Sequence, residues 1–530
     1  MIEVNISDIT KFYGADLIFE HVTFDVKTGE RVGLIGPNGC GKTTILKIVH
    51  GDEHIQQGTV SFRKGLQIGY LDQIPDYEDH VTVIDILKSA FVEVFLIKRK
   101  MDECTNIMAN EAGESVDIAL KEYSRLTHEY ELLDGYSVET NINKVCTGLK
   151  ITDEQREQSF NVLSGGEKSR VMLGKILLEN PSLLMLDEPS NHLDLESIEW
   201  LEGYLKEYQG TVIIVSHDRY FLDNVCTRMV ELSMYKAYIY HGNYSYYVLE
   251  KERRFLLEMK AYLSQEKQIK RMEEQIKRYR IWGVMRDSDK MFKRAKELER
   301  RLEKIERIDK PRYTNDKMRL RKPGSHRSGK RVLEATNIQK QFDDLVILDG
   351  AEVELIYQDR LAILGNNGSG KTTLIRTLLE DVHLEEPLYK WGSKIAIGYL
   401  PQEVVFEDDS KTVLQHFMDT HTVNQPTARS ELAKALFIRD DVLKQIKYLS
   451  GGEKSKLALC SLTYEQVNLM ILDEPTNHLD IDSREILEEM LLEFVGTILF
   501  ISHDRYFIKK IATRIGEIEQ RQITYYEGDY

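Results

Sequence analysis

The sequence is poor in cysteine and has no long hydrophobic run. Its 530 residues include five cysteines, and no two of them form a Cys-x-x-Cys pair. Zinc and iron–sulfur sites need such clusters. We therefore expect reduced, unliganded thiols at Cys40, Cys104, Cys146, Cys226 and Cys460. No uncharged apolar run approaches the roughly 18 residues that are needed to cross a bilayer.

The N-terminus also lacks the features of a secretory signal. The segment Met1-Ile2-Glu3-Val4-Asn5 has no basic flank followed by an apolar stretch. Together with the missing membrane-spanning run, this predicts a cytoplasmic protein.

The net charge of −16 is distributed unevenly along the chain. Residues 251–330 hold 27 Lys and Arg against 13 Asp and Glu, a local net charge of +14. The rest of the chain carries 44 basic and 74 acidic side chains, a net charge of −30. Because a chain of this length is too long for one hydrophobic core, we expect about three or four units, of which one is strongly basic.

One glycine-rich motif occurs twice in the sequence. The two occurrences are Gly36-Pro37-Asn38-Gly39-Cys40-Gly41-Lys42-Thr43-Thr44 and Gly365-Asn366-Asn367-Gly368-Ser369-Gly370-Lys371-Thr372-Thr373. Landmarks outside the motif keep the same spacing: Gln73 follows Lys42 by 31 positions, and Gln402 follows Lys371 by 31. Such self-similarity predicts a duplicated domain.

A single insertion distinguishes the two copies. Gln73 and Ser164 are 91 positions apart, whereas Gln402 and Ser450 are 48 apart, so the first copy holds 43 extra residues. We place this insert within about residues 92–140 and expect it to be helical.

The duplication predicts three parts: a first domain at residues 1–245, a basic linker at 246–328 and a second domain at 329–530. Residues 30–35 and 359–364 are apolar strands that lead into the two motifs. Continuous apolar runs, such as residues 183–186, are typical of the central strands of a parallel sheet. We therefore predict that each domain is α/β, with helices covering a mostly parallel sheet.

The duplicated motif has the composition of a phosphate-binding loop. Its glycines let backbone N–H groups converge on phosphate oxygens, and the following helix adds the partial positive charge of its N-terminus. We expect Lys42 and Lys371 to neutralise the β- and γ-phosphates, and Thr43 and Thr372 to ligate Mg²⁺. The motif does not identify the base, so ATP and GTP are both open.

Two consecutive acids close an apolar run in each copy: Asp187 with Glu188, and Asp473 with Glu474. In phosphate-loop ATPases the first such acid holds Mg²⁺ through water. The second can polarise the water that attacks the γ-phosphate. A histidine follows the first acid by 30 positions in both copies, at His217 and His503. We expect these histidines to help orient that water, the alternative being a structural role.

Both copies contain the string Leu-Ser-Gly-Gly-Glu-Lys-Ser, which resembles the signature of ATP-binding-cassette proteins. The clamp residues are Ser164, Gly165, Gly166, Ser450, Gly451 and Gly452. A serine hydroxyl, glycine N–H groups and a helix N-terminus make a second phosphate clamp. In that family the clamp closes on nucleotide held by the opposite cassette. The resemblance therefore implies that Lys42 and Ser450 share one ATP, and that Lys371 and Ser164 share the other.

The same resemblance implies roles for residues outside these motifs. They are Gln73 and Gln402 as Mg²⁺ ligands that sense the γ-phosphate, Tyr13 and Phe342 as adenine-stacking aromatics, and Asp194 and Asp480 in loops that couple the sites. For the aromatics, a place in the core is the alternative. Because both copies retain every catalytic residue type, we expect two competent sites that use ATP and Mg²⁺.

The linker has the pattern of a basic helical hairpin. Apolar residues recur at helical spacing in two stripes: Ile269, Met272, Ile276 and Tyr279, then Met291, Ala295, Leu298, Leu302 and Ile305. Between the stripes, residues 282–288 break the pattern and offer a cap at Asp287 or Ser288. Basic faces on an otherwise acidic chain favour an RNA partner over a solvated spacer. Trp282 and Met285 would either stack on bases or pack between the helices.

The strings at residues 187–194 and 473–480, Asp-Glu-Pro-Ser/Thr-Asn-His-Leu-Asp, resemble the F subfamily of cassette proteins. Its members are tandem, membrane-free cassettes that act on translating ribosomes. The resemblance implies a monomer that binds the 70S ribosome, through rRNA and the exit-site or P-site tRNA, with its linker aimed at the peptidyl-transferase centre. Its role would be translation control, rescue of stalled translation, or antibiotic resistance by target protection.

Two further alternatives are open at this stage. The insert is either an arm that contacts the ribosome or a decoration of its own domain. The runner-up function is the ATPase subunit of a transport or DNA-repair complex. The zinc-bearing repair type and the iron–sulfur ribosome-recycling type both need clustered cysteines, which this sequence lacks.

Overall fold

The structure is a computed structural model of the chain. It describes residues 1–71, 75, 77–110, 113–191, 193–287, 289–310, 329–342, 345–384, 386–435, 437, 439–465, 467–477 and 479–527. The chain divides into two compact units: Met1–Ile239 together with Lys317–Tyr530, and Tyr240–Asp316. The first unit contains both copies of the duplicated domain, and the second contains the linker helices.

The elements of the first copy follow one another in an α/β order. They are β1 Ile2–Tyr13, β2 Asp16–Lys27, β3 Arg31–Ile35, α1 Lys42–His50, β4 Gln57–Phe62, β5 Ile68–Tyr70, α2 Val83–Lys88, α3 Val92–Asn110, α4 Glu114–Leu132, α5 Val138–Gly148, α6 Asp153–Glu157, α7 Gly165–Glu179, β6 Leu183–Asp187, α8 Leu195–Glu207, β7 Thr211–Val215, α9 Arg219–Val225, β8 Arg228–Ser233 and β9 Lys236–Tyr240. Short 3₁₀ turns lie at Ser89–Phe91, Gly135–Ser137 and Phe160–Val162.

The linker contributes two helices, and the second copy then repeats the order of the first. These elements are α10 Tyr244–Met285, α11 Asp289–Glu303, β10 Arg331–Phe342, β11 Leu345–Ile356, β12 Arg360–Leu364, α12 Lys371–Val382, β13 Lys390–Trp391, β14 Ile397–Leu400, α13 Val413–His421, α14 Gln425–Lys434, α15 Gly451–Tyr464, β15 Leu469–Asp473, α16 Ile481–Glu493, β16 Thr497–Ile501, α17 Arg505–Ile511, β17 Arg514–Glu519 and β18 Gln522–Glu527, with 3₁₀ turns at Asp441–Leu443 and Ile446–Tyr448. None of the described helices is both long and apolar enough to span a membrane.

The described strands of each copy form one antiparallel and one mostly parallel sheet. In the first copy the orders are β2-β1-β4 and β5-β6-β7-β3-β8-β9, and the run from β5 through β6, β7 and β3 to β8 is parallel. The second copy has β11-β10-β13 and β14-β15-β16-β12-β17-β18, with β18 antiparallel to β17. Helices connect the parallel strands because such strands need crossover connections. The α/β fold with two tandem domains is confirmed.

The core of each copy surrounds the helix that follows its glycine-rich motif. Ile45, Leu46 and Val49 of α1 are buried among side chains of both sheets. In the second copy, residues of α12 occupy the same place. The strands β6 and β7 are buried along almost their whole length, as their continuous apolar composition predicts. This packing holds the carboxyl ends of the central strands at one edge, where the candidate site lies.

The linker folds as a hairpin of two helices, but the first helix is longer than its sequence pattern predicts. The expected break began at Trp282, whereas α10 continues to Met285. Gly283 lies inside this helix and lets α11 approach closely, since a Cβ there would lie 2.9 Å from the ring of Phe292. The turn follows at Arg286, whose N–H donates to the carbonyl of Trp282, and the alternative cap Ser288 lies outside the described residues.

Candidate nucleotide sites

The two glycine-rich motifs form loops between a central strand and a helix. Residues 36–41 connect β3 to α1, and residues 365–370 connect β12 to α12. Gly36 has a φ of 151°, and a Cβ there would lie 2.4 Å from the carbonyl oxygen of Leu232. Gly39 has a φ of 79°, and no atom of the described residues lies within 4 Å of its Cβ position. Glycine is therefore needed at Gly36 for close packing, while the backbone at Gly39 is open to a ligand.

The motif lysines begin the helices and are buried. Lys42 is 8% exposed, and its Nζ donates to the carbonyl oxygens of Gly36 at 2.8 Å and Pro37 at 3.1 Å. Lys371 repeats the arrangement, with distances of 2.8 and 3.0 Å to carbonyl oxygens of its own loop. Burying a cation is costly unless an anion compensates its charge. Each loop, with a helix N-terminus beside it, therefore fits a phosphate group.

The residues expected to ligate a metal lie side by side in both copies. Thr43 donates its hydroxyl to the carboxylate of Asp187 at 2.6 Å, and Thr372 donates to Asp473 at 3.4 Å. The two acids end β6 and β15, which are central strands. The first turns of α1 and α12 therefore place Thr43 and Thr372, followed by Thr44 and Thr373, next to the strand-end acids.

The second acid of each pair has a strained backbone. Glu188 and Glu474 both have a φ of 49°, in the left-handed region that non-glycine residues seldom adopt. The main-chain N–H of His217 donates to Glu188 at 3.2 Å, and its Nε2 lies 3.5 Å from the other carboxylate oxygen. The corresponding distances between His503 and Glu474 are 3.3 and 3.4 Å. Strain of this kind is typical of functional sites.

Burial sets the protonation of these pairs. It raises the pKa of Glu188 and of Glu474 to about 7. It lowers the pKa of His217 to about 3 and of His503 to about 4, with nearby Lys42 and Lys371 acting in the same direction. A carboxyl whose pKa lies near neutrality is suited to exchange a proton with water, and a neutral imidazole can accept a hydrogen bond.

The signature strings stand at helix N-termini. Ser164 caps α7, where it accepts from the N–H of Glu167 at 3.4 Å, and Glu167 accepts from the N–H of Ser164 at 2.8 Å. Ser450 and Glu453 form the same capping box at α15. The first turn of each helix, with its two glycines, thus presents backbone N–H groups that have no partner within the helix.

A cavity of about 580 Å³ lies between the two copies. Its wall from the first copy includes Ser164 and Gly166, and its wall from the second includes Lys371, Gln402 and Glu474. The structure therefore brings the signature of one copy to the phosphate loop of the other. At the opposite loop, the N–H of Asn38 donates to Asp480 at 3.2 Å.

The remaining expected residues occupy different environments. Tyr13 and Phe342 end β1 and β10 and are 45% and 53% exposed, so neither belongs to the core. The Tyr13 hydroxyl donates to Glu53 at 3.2 Å. Asp194 caps α8 and forms an ion pair with Lys150 at 2.9 Å. Gln73 lies outside the described residues.

The sequence analysis did not single out Lys150 and Arg484, which are cations at the interface of the copies. Lys150 donates to Asn366 of the opposite phosphate loop at 2.8 Å. Arg484 donates to the main-chain oxygen of His217 and to Asp504, both at 3.0 Å. The equivalent position in the first copy is Ile198, so Arg484 is not repeated and comparison of the two copies does not indicate it.

Several buried atoms indicate where a ligand fits. These atoms hydrogen-bond to no group among the described residues: Glu188 Oε1, His217 Nδ1, Asp473 Oδ2, Glu474 Oε1 and His503 Nδ1. Buried polar atoms are normally satisfied. Carboxylate and hydroxyl oxygens are the ligands that Mg²⁺ prefers, and water bound to such an ion supplies the missing donors. The residues present therefore fit Mg²⁺ together with the phosphates of a nucleotide.

Comparison with known proteins agrees with this geometry. The ABC transporter family model matches residues 19–191 and 348–477, and a second model with the same description matches residues 230–321. ABC transporter F family member 2 of Arabidopsis thaliana is 35% identical over 99% of this chain and 78% of its own length. The chain belongs to the F subfamily of ATP-binding-cassette proteins. It is therefore an ATPase, and its two copies are ATP-binding cassettes.

Two other likenesses support the family and the fold. The energy-dependent translational throttle protein EttA of Haemophilus influenzae is 32% identical over 97% of this chain and 91% of its own length. An archaeal ribosome recycling factor, aABCE1, solved in complex with the ribosomal stalk protein aP1, superposes with a TM-score of 0.59. That likeness covers 96% of this chain and 87% of the other at 20% identity, and it shows the fold alone.

Proposed function

We propose that the protein is a cytoplasmic, ribosome-associated ATPase that acts on translation as a monomer. The relative EttA, which is similar along 97% of this chain, is named as an energy-dependent translational throttle protein. We further propose that the protein enters the ribosome at the tRNA exit site and directs its linker toward the peptidyl-transferase centre, in contact with rRNA and with exit-site or P-site tRNA.

The charge of the linker supports an RNA partner. Residues 251–330 carry a net charge of +14, whereas the rest of the chain carries −30. Basic side chains that neutralise RNA phosphates release bound counterions, which favours binding at low salt. At the end of α10, Val284 and Met285 are 74% and 78% exposed. Trp282, close to the same end, is 42% exposed, and an exposed aromatic ring is suited to stack on an unpaired base.

The residues of the two sites would divide the work of hydrolysis. Lys42 and Lys371 bind phosphate, while the signature helix that begins at Ser450 or Ser164 closes on it from the opposite cassette. Glu188 and Glu474 polarise the attacking water, and His217 and His503 hold it in place. When bound, Mg²⁺ neutralises charge on the phosphate oxygens. Closure then favours ribosome binding, and hydrolysis followed by separation of the cassettes favours release.

The decisive experiment uses a variant that binds ATP but hydrolyses it slowly. Glu188→Gln combined with Glu474→Gln keeps the shape of both side chains and removes the carboxylates. We expect this variant to co-sediment with 70S ribosomes when ATP is present, and the wild-type protein to do so only transiently. The control, Lys42→Ala combined with Lys371→Ala, should not be trapped. Absence of any ATP-dependent sedimentation would refute the proposal.

The cellular role is tested separately. We propose control of translation, with antibiotic resistance by target protection as the second candidate, because exposed Trp282 stands close to the end of α10. A deletion strain is compared for drug susceptibility with strains that carry the wild-type gene or Trp282→Ala. Unchanged susceptibility with altered growth supports translation control, whereas restored resistance that depends on Trp282 supports protection.

A further inference from the structure

Two buried ion pairs cross the interface between the cassettes. Arg219 of the first cassette donates through both terminal nitrogens to the carboxylate of Glu488 in the second, with Nη1 at 3.3 Å from Oε2. In the reverse direction, Arg505 of the second cassette donates to Glu202 of the first. The arginine side chains are both 3% exposed, and those of Glu488 and Glu202 are 0% and 7% exposed. Both pairs are thus shielded from solvent.

Each arginine also packs on a ring of the opposite cassette. The guanidinium of Arg219 lies 4.5 Å from the ring centre of Tyr506, and that of Arg505 lies 4.1 Å from that of Tyr220. A guanidinium stacked on an aromatic face gains a cation–π interaction, which is stronger when water is excluded. The groups thus repeat in both directions, so each cassette supplies an arginine, a tyrosine and a glutamate.

The position of the arginines connects the ion pairs to the candidate sites. Arg219 begins α9 and follows His217 by two positions, and Arg505 begins α17 and follows His503 by two. Their partners lie on α8 and α16, the helices capped by the coupling acids Asp194 and Asp480. Each pair therefore joins the histidine loop of one cassette to the coupling helix of the other.

The crossed pairs depend on contact between the cassettes. When the cassettes separate, all four side chains can be hydrated, and an unpaired charge costs little. In the closed arrangement an unpaired charge is buried without compensation, which is strongly unfavourable. A change in one partner should therefore disfavour closure while leaving each separate cassette intact.

We propose that Arg219 and Arg505 are positioning residues that make hydrolysis depend on closure. Formation of the crossed pairs places the loops of His217 and His503, and each site reaches its active geometry only when the opposite cassette supplies its glutamate. The inference rests on the proposed function only through the roles assigned to the two histidines.

The test exchanges the charges of one pair. The pair of Arg505 and Glu202 is the better choice, since Glu202 also accepts a hydrogen bond from neutral Asn224, whereas Glu488 also pairs with Lys510 at 2.9 Å. A further contact of Arg505, with the exposed carboxylate of Glu199, is longer, at 3.8 Å. The variants are Arg505→Glu, Glu202→Arg, the double exchange, and the milder Glu202→Gln. ATP hydrolysis is measured without ribosomes, and closure with a non-hydrolysable ATP analogue is followed by small-angle X-ray scattering.

We expect each single reversal to lower kcat at least tenfold and to abolish the compaction induced by the analogue, with less than a threefold change in KM. The double exchange should recover both properties to within about threefold. Glu202→Gln should lower kcat in the same direction with an unchanged unfolding midpoint. Arg125→Glu is the control, because its pairs with Glu122 and Glu129 are exposed and lie within one helix.

The proposal is overturned if a folded single reversal closes and hydrolyses normally, or if the folded double exchange recovers neither property. Unfolding midpoints identify variants that fail to fold, and in that case Glu202→Gln decides the matter. Because ribosomes are absent from these assays, a negative result bears on the crossed pairs and not on ribosome binding.

Discussion

At the scale of single residues, the sites depend on backbone conformations that most side chains avoid. Gly36 has a φ of 151°, and Glu188 and Glu474 share a φ of 49°. The glycine has no Cβ to collide with neighbouring backbone, so its conformation costs little. The glutamates carry a strain of about 1–3 kcal/mol that the surrounding packing must offset. In return, each carboxylate is held against its histidine in the same way in both cassettes.

The first prediction concerns Gly36. In Gly36→Ala, the new Cβ would lie 2.4 Å from the carbonyl oxygen of Leu232. We expect a loss of stability of about 1–3 kcal/mol, as for other overpacked sites. Gly39→Ala is the matched control, because Gly39 also has a positive φ but its new Cβ would meet no atom within 4 Å in the part of the chain that the structure describes. Denaturation in urea measures the stability of both variants. Equal losses of stability would show that the strain of a positive φ, and not the contact with Leu232, destabilises Gly36→Ala.

At the scale of elements, helix ends and helix packing carry the functional groups. The capping boxes at Ser164 and Ser450 fix where α7 and α15 begin, and therefore where their N–H groups point. In the linker, α10 and α11 pack through small or apolar residues, among which Ala295 is only 2% exposed. Ile276 and Gly283 of α10 are buried as well, whereas most other side chains of the two helices are charged and exposed.

The second prediction tests this packing. Ala295→Glu places a charge where the two helices meet, and burying an unpaired charge is unfavourable by several kcal/mol. We expect the hairpin to open and chymotrypsin to cleave the linker at least tenfold faster in the full-length protein. Lys296→Glu is the control, because it changes the net charge by more than Ala295→Glu does but at a neighbouring position that is exposed. Similar cleavage rates for the two variants would contradict the packing described for α11.

At the scale of the whole molecule, the two cassettes are similar but not equivalent. Arg484 donates to the main chain of His217 and to Asp504, and the equivalent position of the first cassette is occupied by Ile198. The positive charge of Arg484 also opposes the effect of burial on the pKa of Glu188, where it is the largest such contribution, and acts on Glu474 in the same direction after Lys371 and the main-chain N–H of His503. One cation thus ties the second cassette to the histidine loop of the first, and isoleucine cannot form the reciprocal contact.

The third prediction follows from this asymmetry. Arg484→Ile removes charged hydrogen bonds worth about 1.5–3 kcal/mol each. We expect hydrolysis at the site of Glu188 to slow at least tenfold, and hydrolysis at the site of Glu474 to slow less. Each site is measured alone, by placing Arg484→Ile in a Glu474→Gln or a Glu188→Gln background. Ile198→Leu is the control at the equivalent position, and equal slowing at both sites would exclude a directional role.

Much of the fold could be predicted because the duplicated motifs are local. The residues of a phosphate loop lie within nine positions of one another, and the strand before it and the helix after it follow from short-range patterns. The repeat also doubled each observation, so that His217 and His503 supported one another. The predicted end of the first linker helix, at Trp282, was wrong, since α10 continues to Met285. The packing of Gly283 against Phe292 is a tertiary contact, which cannot be inferred from helical periodicity.

The sequence by itself determined the two cassettes, their order and the residue types of both sites, since these depend on neighbours in the chain. Only the tertiary structure decided which side chains face one another across the interface. The pairs of Arg219 with Glu488 and of Arg505 with Glu202 join residues that are 269 and 303 positions apart. Burial makes these ion pairs important for closure, because breaking a buried pair leaves an uncompensated charge. A solvent-exposed ion pair at the same position would contribute little to stability.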